Sequence, residues 1–478
     1  MSDSNTQIDL CGWNSDGRVT CKMFVTLILV ILELPVIHNC PPVKCPMSLP
    51  LSIPHQYYYP GDFIIGGVFS QFYIFSNPIT FERDPSHDAF DMSFVITQGY
   101  QHILALQFAV KTINENPRIL PNVTLGFHVL NSNFQPRWTL RASMELLSTL
   151  GKCYPNYKCD VQATVAVIGG PNADVCLFMA SFMCIYKFPQ FAYGSAALLN
   201  AKSQGIFVHQ LFPDISQQYK GILQLLLYFQ WTWIGVIFIN EENGERFVQK
   251  VLPTFVQGGI CFDFVENFPP INFSNELSVL AFYFFFCLKL ISIVMGGTAN
   301  VIIVHGEIQT IMVFRLLPEY SRFQEMPMKS RVWIFTAQMD FTSFPMQRSW
   351  NMDFIHGAIS FAVHSEEVLG FHQFLQFRKL TSEKEDGFLR DFWEESFQCS
   401  FSSDISETKA GGLCSGEESL ENLPESVFEM GMTGQSYSIY NAVHVVAEGL
   451  HALHSSSVKT RTIKVKGRNA LVYQQPWQ

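Results

Sequence analysis

A repeated alternation of short apolar runs with helix-patterned segments constrains this chain more than any other feature of its sequence. Asp62-Phe-Ile-Ile-Gly-Gly-Val-Phe reads as a buried strand, and Gln98 to Asn114 carries apolar helical spacing that stops at Asn116-Pro117. Val123 to Leu130 is strand-like, Trp138 to Leu150 helical, Val165 to Ile168 an apolar strand, Asp174 to Tyr186 helical, and Pro189 to Tyr193 strand again. Pro213 and Asp214 then open a helix to Gln230. Strand Trp233 to Ile239, a helix from Glu245 to Phe255 capped by Asn243, and strand Ile260 to Val265 follow. The series continues through strand Val301 to Val304, helix Gln309 to Leu317 and strand Val332 to Thr336. Strands this uniformly apolar are buried on both faces, so helices must cover them, and each parallel strand needs a crossover to return to the same edge. The expected fold class is α/β, with two parallel sheets supporting two lobes and a cleft between them.

Composition narrows the function classes. Of 478 residues, 48% are hydrophobic and 15% charged, which excludes disorder as the main state. The 31 Lys and Arg against 41 Asp and Glu give a formal charge of -10, and no long basic run tracks a helix, so nucleic acid is not an expected partner. From Met23, MFVTLILVILELP is an apolar run of signal-sequence length with Arg18 and Lys22 upstream. Residues 1–40 therefore read as an N-terminal extension with a signal peptide, although Glu33 interrupts the run; an apolar strand or a membrane anchor is the other reading. Entry to the secretory path would make Asn122 and Asn272, in Asn122-Val-Thr and Asn272-Phe-Ser, acceptors for glycan. Phe388 to Phe397 and Ser438 to His454 are helical by periodicity, with the polar loop Asp404 to Glu425 between them.

Enzyme signatures are sparse. No GxGxxG follows a strand, and neither a Walker lysine nor a GxSxG elbow occurs. His444, Glu448 and His451 share one helix face, which admits a metal-dependent hydrolase as a reading, but no HExxH order or third-ligand motif accompanies them. Glu241 and Glu242 are adjacent at a strand end, where neighbouring side chains diverge. The twelve cysteines include neither a CxxC pair nor a zinc-spaced cluster, so no metal or cofactor is expected.

Several segments together resemble vomeronasal type-2 receptors, within the class C G-protein-coupled receptors. They are PGDFIIGG at Pro60 to Gly67, AVKTINENPRILPNVTLGF at Ala109 to Phe127, IGGPNADVCLFMASFMCIYKFPQFAYGS at Ile168 to Ser195, and YFQWTWIGVIFINEENGERF at Tyr228 to Phe247. DFWEESFQCSF at Asp391 to Phe401 and SYSIYNAVHVVAEGLHALHS at Ser438 to Ser455 complete the set. The resemblance implies a bilobed Venus-flytrap ectodomain of the type I periplasmic-binding-protein-like class, with crossover hinges, in which a ligand closes the lobes and rearranges a homodimer. On that reading lobe 1 comprises residues 61–212 and 340–455, an incomplete lobe 2 comprises 213–339, and 456–478 are a truncated tail. Homodimerisation would run through lobe 1, and a G protein would couple only through a seven-helix module beyond this chain. The full receptor would present the region outside the plasma membrane; a secreted, non-signalling decoy or dimer partner is the alternative.

In amino-acid-sensing members of that class, hydroxyls and backbone N–H groups near a helix N-terminus hold the ligand carboxylate, while acidic and aromatic groups hold its ammonium. The two hydroxyl positions are occupied here by Ala173, between Asn172 and Asp174, and by Ala196, beside Ser195. The acidic position after Pro213 is Ile215, beside Asp214; the aromatic position is Asn243; and a second acidic position is Ala337. These five departures would leave a zwitterion desolvated without its partners, so a peptide or another small molecule is the expected ligand. The N–H groups from Asn172 to Val175 remain available to an anion, and Tyr193, next to Gly194, is expected to stack on a ligand. The resemblance also implies a Cys399–Cys414 disulfide, an intermolecular or local bridge at Cys153 and Cys159, and an unpaired Cys261. One stretch departs from it: Leu277 to Met295 is apolar on nearly every side, which suits a misjoined exon or an over-apolar lobe helix, with a membrane span as the costlier reading because of Lys289.

Overall fold

The computed structural model describes residues 55–75, 92–147, 164–194, 207–269, 277–325, 328–339, 353–379, 385–401 and 412–460. The apolar runs form two sheets. In the first, β1 (Gln56–Tyr59), β5 (Leu125–Asn131), β2 (Phe63–Phe69), β6 (Thr164–Gly169), β7 (Gln190–Ala192) and β8 (Val208–Gln210) lie side by side in that order. Every residue of β2 is buried, as a central strand covered on both faces requires. The pairings are parallel except at the edge, where the Tyr-rich β1 runs antiparallel to β5. The second sheet, ordered β10 (Cys261–Phe268), β9 (Trp233–Ile239), β11 (Val301–His305), β12 (Val332–Phe335) and β13 (Ile359–Ser360), is parallel in each pairing. Ile359–Ser360 lies beyond residue 339 in sequence and still pairs within this sheet. A hairpin that the apolar pattern does not reveal, β3 (Phe72–Phe75) with β4 (Met92–Val95), is antiparallel. The fold class is thus α/β with parallel-dominated sheets.

Helices cover both faces of each sheet. Beneath the first, α1 (Thr97–Glu115) buries Ile103, Leu106, Val110 and Ile113 against Ile65, Phe127 and Ile168, and the late helix α12 (Gly434–Thr460) adds Ile439, Val443 and Ala447 to the same core. The opposite face is closed by α2 (Pro136–Leu147), whose Trp138, Ala142 and Leu146 recur every four residues, and by α3 (Ala173–Met183). On the second sheet, α4 (Ile215–Tyr228) covers one face through Ile222 and Leu226.

The other face is covered by α7 (Leu277–Gly296), the over-apolar stretch. Its Cys287, Leu290, Ile291, Val294 and Met295 form one buried stripe, while Phe285 and Lys289 are exposed. That stripe has the spacing of a core-facing helix, and it leaves the Lys289 ammonium in water. Among the described residues no helix is long and apolar enough to cross a membrane. Tyr73 and Ile96, from around the β3–β4 hairpin, join the same core, so a segment preceding α1 is built into the second sheet's packing.

Two expected helices begin or break differently. The helix after β9 starts at Glu242 rather than Glu245, as α5 (Glu242–Arg246), passes through a π-helical turn, Phe247–Val251, and continues as α6 (Leu252–Gln257). Asn243 is therefore not its cap. Glu241 holds the cap position without a side-chain bond, and Gly244 admits the early start because a Cβ there would collide with the Ile239 carbonyl. Pro253 has no N–H to donate into the ladder, which accounts for the wider turn before it. Likewise, Gln309 to Leu317 resolves into α8 (Ile308–Phe314) and α9 (Leu317–Phe323), with Pro318 in the first turn of the second.

After α10 (Phe371–Gln376) comes α11 (Leu389–Phe397), and just beyond it Cys399 and Cys414 form a disulfide. Among the described residues Cys176, Cys184, Cys261 and Cys287 are not in disulfides, and Cys261 is exposed. Asn122 is exposed at a left-handed turn with φ 63. Cys153, Cys159, Asn272, Ser195 and Ala196 lie outside the described residues.

Beneath the first sheet the ion pair Arg378–Asp386 is tied to the distant helix α1. The Arg378 guanidinium contacts Asp386, donates to the Tyr100 hydroxyl at 2.8 Å and to Gln107 Oε1 at 2.9 Å, and Tyr100 donates to Asp386 at 2.6 Å. Both charged side chains are almost fully buried. Removing one partner strands the other charge, so Arg378→Met should cost about 3–5 kcal/mol in urea unfolding, whereas a surface change such as Arg322→Met should cost less than about 1 kcal/mol.

Candidate functional site

Every parallel strand of a sheet ends at the same edge, so the residues that follow those strands collect there. From the first sheet these are Asn131 to Phe134 after β5, Gly170 to Asp174 after β6, and Tyr193 and Gly194 after β7. From the second they are Asn240 to Asn243 after β9, His305 to Glu307 after β11, and Thr336 to Gln338 after β12. The two carboxyl edges meet at Glu307. The Ala173 N–H, at the start of α3, donates to Glu307 Oε2 at 3.2 Å and to Oε1 at 3.4 Å, and Asn243 Nδ2 donates to Oε1 at 3.1 Å.

Local chemistry explains each participant. Gly170 turns the chain at φ 87, where a Cβ would press on Cys176. Asn172 then caps α3 by accepting from the Val175 N–H at 3.0 Å, which leaves the Ala173 N–H for a partner outside the helix. Glu307 is held by its own N–H, which donates to Thr310 Oγ1 at 3.0 Å, and only 3% of the residue is exposed.

Carboxyl groups cluster around this contact. Burial, with Glu307 and Asp174 beside it, pushes the Glu241 carboxyl well above the usual carboxylate range. Partial desolvation and Glu242 raise Asp174 as well. Tyr73 keeps its proton because it is buried and faces Glu241 and Glu307. Its ring stacks on Phe134 at 4.3 Å, and Phe134 and Asn133 both sit in left-handed backbone at φ 52 and 50.

Next to Glu307, His305 Nε2 and the Tyr219 hydroxyl are 2.8 Å apart, and Phe247, on the π-helical turn, stacks on the His305 ring at 4.4 Å. Burial lowers His305 to about 4, so its imidazole is neutral.

The structure brings Asn172, Ala173 and Asn243 together around Glu307, with Asp174 on the same turn. Gly194 is buried, its N–H bonded to the Gly170 carbonyl at 3.0 Å. Tyr193 is fully buried, edge-on to Phe69, with its hydroxyl 3.4 Å from His102 Nδ1. The aromatic character that suggested stacking serves the core of the first sheet instead. Asp214 caps α4, accepting from the Ser216 N–H at 3.0 Å and hydroxyl at 2.6 Å, which hold its carboxyl below the usual range; Ile215 is the first residue of that helix. The Ala337 N–H donates to Gln218 Oε1 at 2.9 Å, and Gln218 Nε2 donates to Gln338 at 3.2 Å.

His451 Nδ1 accepts from the Leu120 N–H at 3.3 Å, and the His444 ring packs on Tyr440 at 4.5 Å. Among the described residues no three His, Cys, Asp or Glu side chains are placed to hold a metal ion. Glu307, His305, Tyr219, Phe247 and Tyr73 escape motif reading. The one available signal is His305-Gly306-Glu307 directly after the apolar run Val301 to Val304, polar residues at the carboxyl end of a parallel strand.

Because the folded state raises the Glu241 carboxyl above its ordinary 4.5, ionising it costs stability at high pH, and that cost disappears as pH falls towards the ordinary value. Glu241→Gln should therefore raise the melting temperature at pH 8 and leave it nearly unchanged at pH 4. A gain of equal size at both pH values would show that Glu241 is not raised by its surroundings.

Residues 102–478 match the receptor family ligand binding region. The chain is 30% identical over 410 residues to vomeronasal type-2 receptor 26 of Mus musculus, covering 83% of this chain and 45% of that protein. It is 22% identical over 427 residues to the extracellular calcium-sensing receptor of Sus scrofa, covering 83% and 38%, and 25% identical over 440 residues to taste receptor type 1 member 2 of Cebuella pygmaea, covering 88% and 47%. The chain thus spans less than half the length of each of these relatives.

Proposed function

Because the chain belongs to the family of receptor ligand-binding regions, we propose that it is the ligand-binding ectodomain of a chemosensory class C G-protein-coupled receptor, taking its ligand between the carboxyl edges of the two sheets. The observation that carries this reading is the meeting of both edges at Glu307, through Ala173 of one sheet's crossover and Asn243 of the other's. Ligand binding favours the closed arrangement of two lobes, 61–212 with 340–455 and 213–339, the second gaining Ile359–Ser360. A homodimer through the first lobe passes that change to a seven-helix module and its G protein at the plasma membrane, with the ectodomain outside. No bond is made or broken.

The ligand is a peptide or a small molecule other than a free α-amino acid. Ala173, Ile215, Asn243 and Ala337 offer no hydroxyl, carboxylate or aromatic face to a zwitterion, whose charges would be stripped of water without replacement. A thermal-shift screen of the full chain against the free amino acids at millimolar concentration and against a short-peptide library tests both points. The expected result is a melting rise with particular peptides, none with the amino acids, and loss of the rise in Ala337→Trp, which crowds the cleft. A rise with free amino acids would overturn the ligand class; a peptide response unaffected by Ala337→Trp would overturn the location.

A further inference from the structure

We propose that the second sheet carries a subsite for an uncharged hydrogen-bonding group of the ligand, with the chemistry of a peptide amide, at His305, Thr336 and Gln338 beside α4. The inference rests on the reading of the two carboxyl edges as a ligand cleft and adds where a peptide's backbone is held.

All three residues follow strands of the second sheet at its carboxyl edge, and only 2%, 0% and 3% of each is exposed. Each nevertheless carries a side-chain atom with no hydrogen-bond partner among the described residues: His305 Nδ1, Thr336 Oγ1 and Gln338 Nε2. Register puts the first two side by side. Val304 pairs with Phe335, and the Thr336 N–H extends the ladder by donating to the Val304 carbonyl at 3.3 Å. Val304 and Phe335 belong to the core under α7, whereas Ile303 and Ile334 belong to the core under α4. His305 and Thr336, each two residues beyond the latter pair, share its face. Helix α4 joins Gln338 to them: its Gln218 Nε2 donates to Gln338 Oε1 at 3.2 Å, and the neighbouring Tyr219 hydroxyl lies 2.8 Å from His305 Nε2. The backbone fixes both amide orientations. Because the Ala337 N–H donates to Gln218 Oε1, Gln218 turns its amino group to Gln338 Oε1, and Gln338 Nε2 is left as a donor. Thr336 Oγ1 can both donate and accept, and the His305 ring is neutral because burial lowers it to about 4. Buried polar atoms without partners cost the fold their hydration, and three in one layer point to a ligand group that satisfies them. No side chain of this set carries a charge, so a carboxylate or ammonium buried among them would lose its water without a countercharge. An amide, with a carbonyl for Gln338 and an N–H for Thr336 or His305, matches the set.

The test probe is N-acetylglycine N-methylamide, a single residue with both ends turned into amides, in thermal-shift measurements on the full chain. The expected result is a melting rise of about 1–2 °C at tens of millimolar of this capped residue, and none with the anion N-acetylglycine or the cation glycinamide at equal concentration and ionic strength. Thr336→Val exchanges the hydroxyl for a methyl of nearly the same shape. Without probe it should melt at or above wild type, because it removes an unpaired polar atom, and its response to the capped residue should vanish, whereas Thr336→Ser keeps the response. A Thr336→Val chain that fails to fold, or melts more than about 2 °C below wild type, would show that the fold itself uses the hydroxyl, directly or through water, and would overturn the subsite. An undiminished response in that variant, no response of wild type to the capped residue, or an equal rise with either charged probe would overturn it too. The two readings fail separately. A capped-residue response lost in Thr336→Val, without any response in the peptide screen, sinks the receptor reading alone; a peptide response that depends on Ala337 and persists in full in Thr336→Val sinks the subsite alone.

Discussion

A parallel strand can be followed by another only if the chain crosses back over the sheet and re-enters from the same side, and the rest of this molecule follows from that requirement. It forces each helix to start just beyond a strand's carboxyl end. It places Asn172 and Ala173 after β6, Glu241 and Asn243 after β9, and Glu307 after β11 along two edges, although these residues are spread across more than a hundred positions. The two rows of loops face each other closely enough for a side chain of one to reach a backbone N–H of the other.

Two buried carboxylates show two ways of holding a charge out of water. Asp386 has a full countercharge in Arg378, backed by Tyr100 and Gln107, and this arrangement pins the late helices beneath the first sheet. Such a pair is rigid, because separating it strands two charges. Glu307 accepts from the Ala173 N–H at the start of a helix and from the Asn243 amide. Leaving such a contact exchanges a few hydrogen bonds for water. The Arg378–Asp386 arrangement lies within one core, and the Glu307 contact joins residues that follow strands of the two sheets.

The central strands and most helices were legible because their apolar periodicity is strong: Phe63 to Phe69, Trp233 to Ile239 and Val301 to Val304 have no other reading than buried strand. Less regular elements were not. β1 is a run of tyrosines at an edge, the β3–β4 hairpin has no turn signature in its described residues, and the π-helical turn before Pro253 depends on one missing N–H. At the site, Asn172 and Ala173 stand out because loop residues before a helix carry a recognisable cap. Glu307 does not, since its role comes from a partner 134 positions away, and only the folded chain brings them together. For Tyr193, its place after a parallel strand was legible, but the packing of its ring on Phe69 and His102 was not.

The account stands or falls on Glu307 joining the two edges before ligand is present. The most direct measurement is a crystal structure of the chain grown without ligand or added carboxylate. The account predicts the Glu307 carboxylate within about 3.5 Å of the Ala173 nitrogen, with Asn243 on the same oxygen pair. A structure in which the two edges stand apart, with water on the Ala173 N–H and Glu307 turned into solvent, would contradict it.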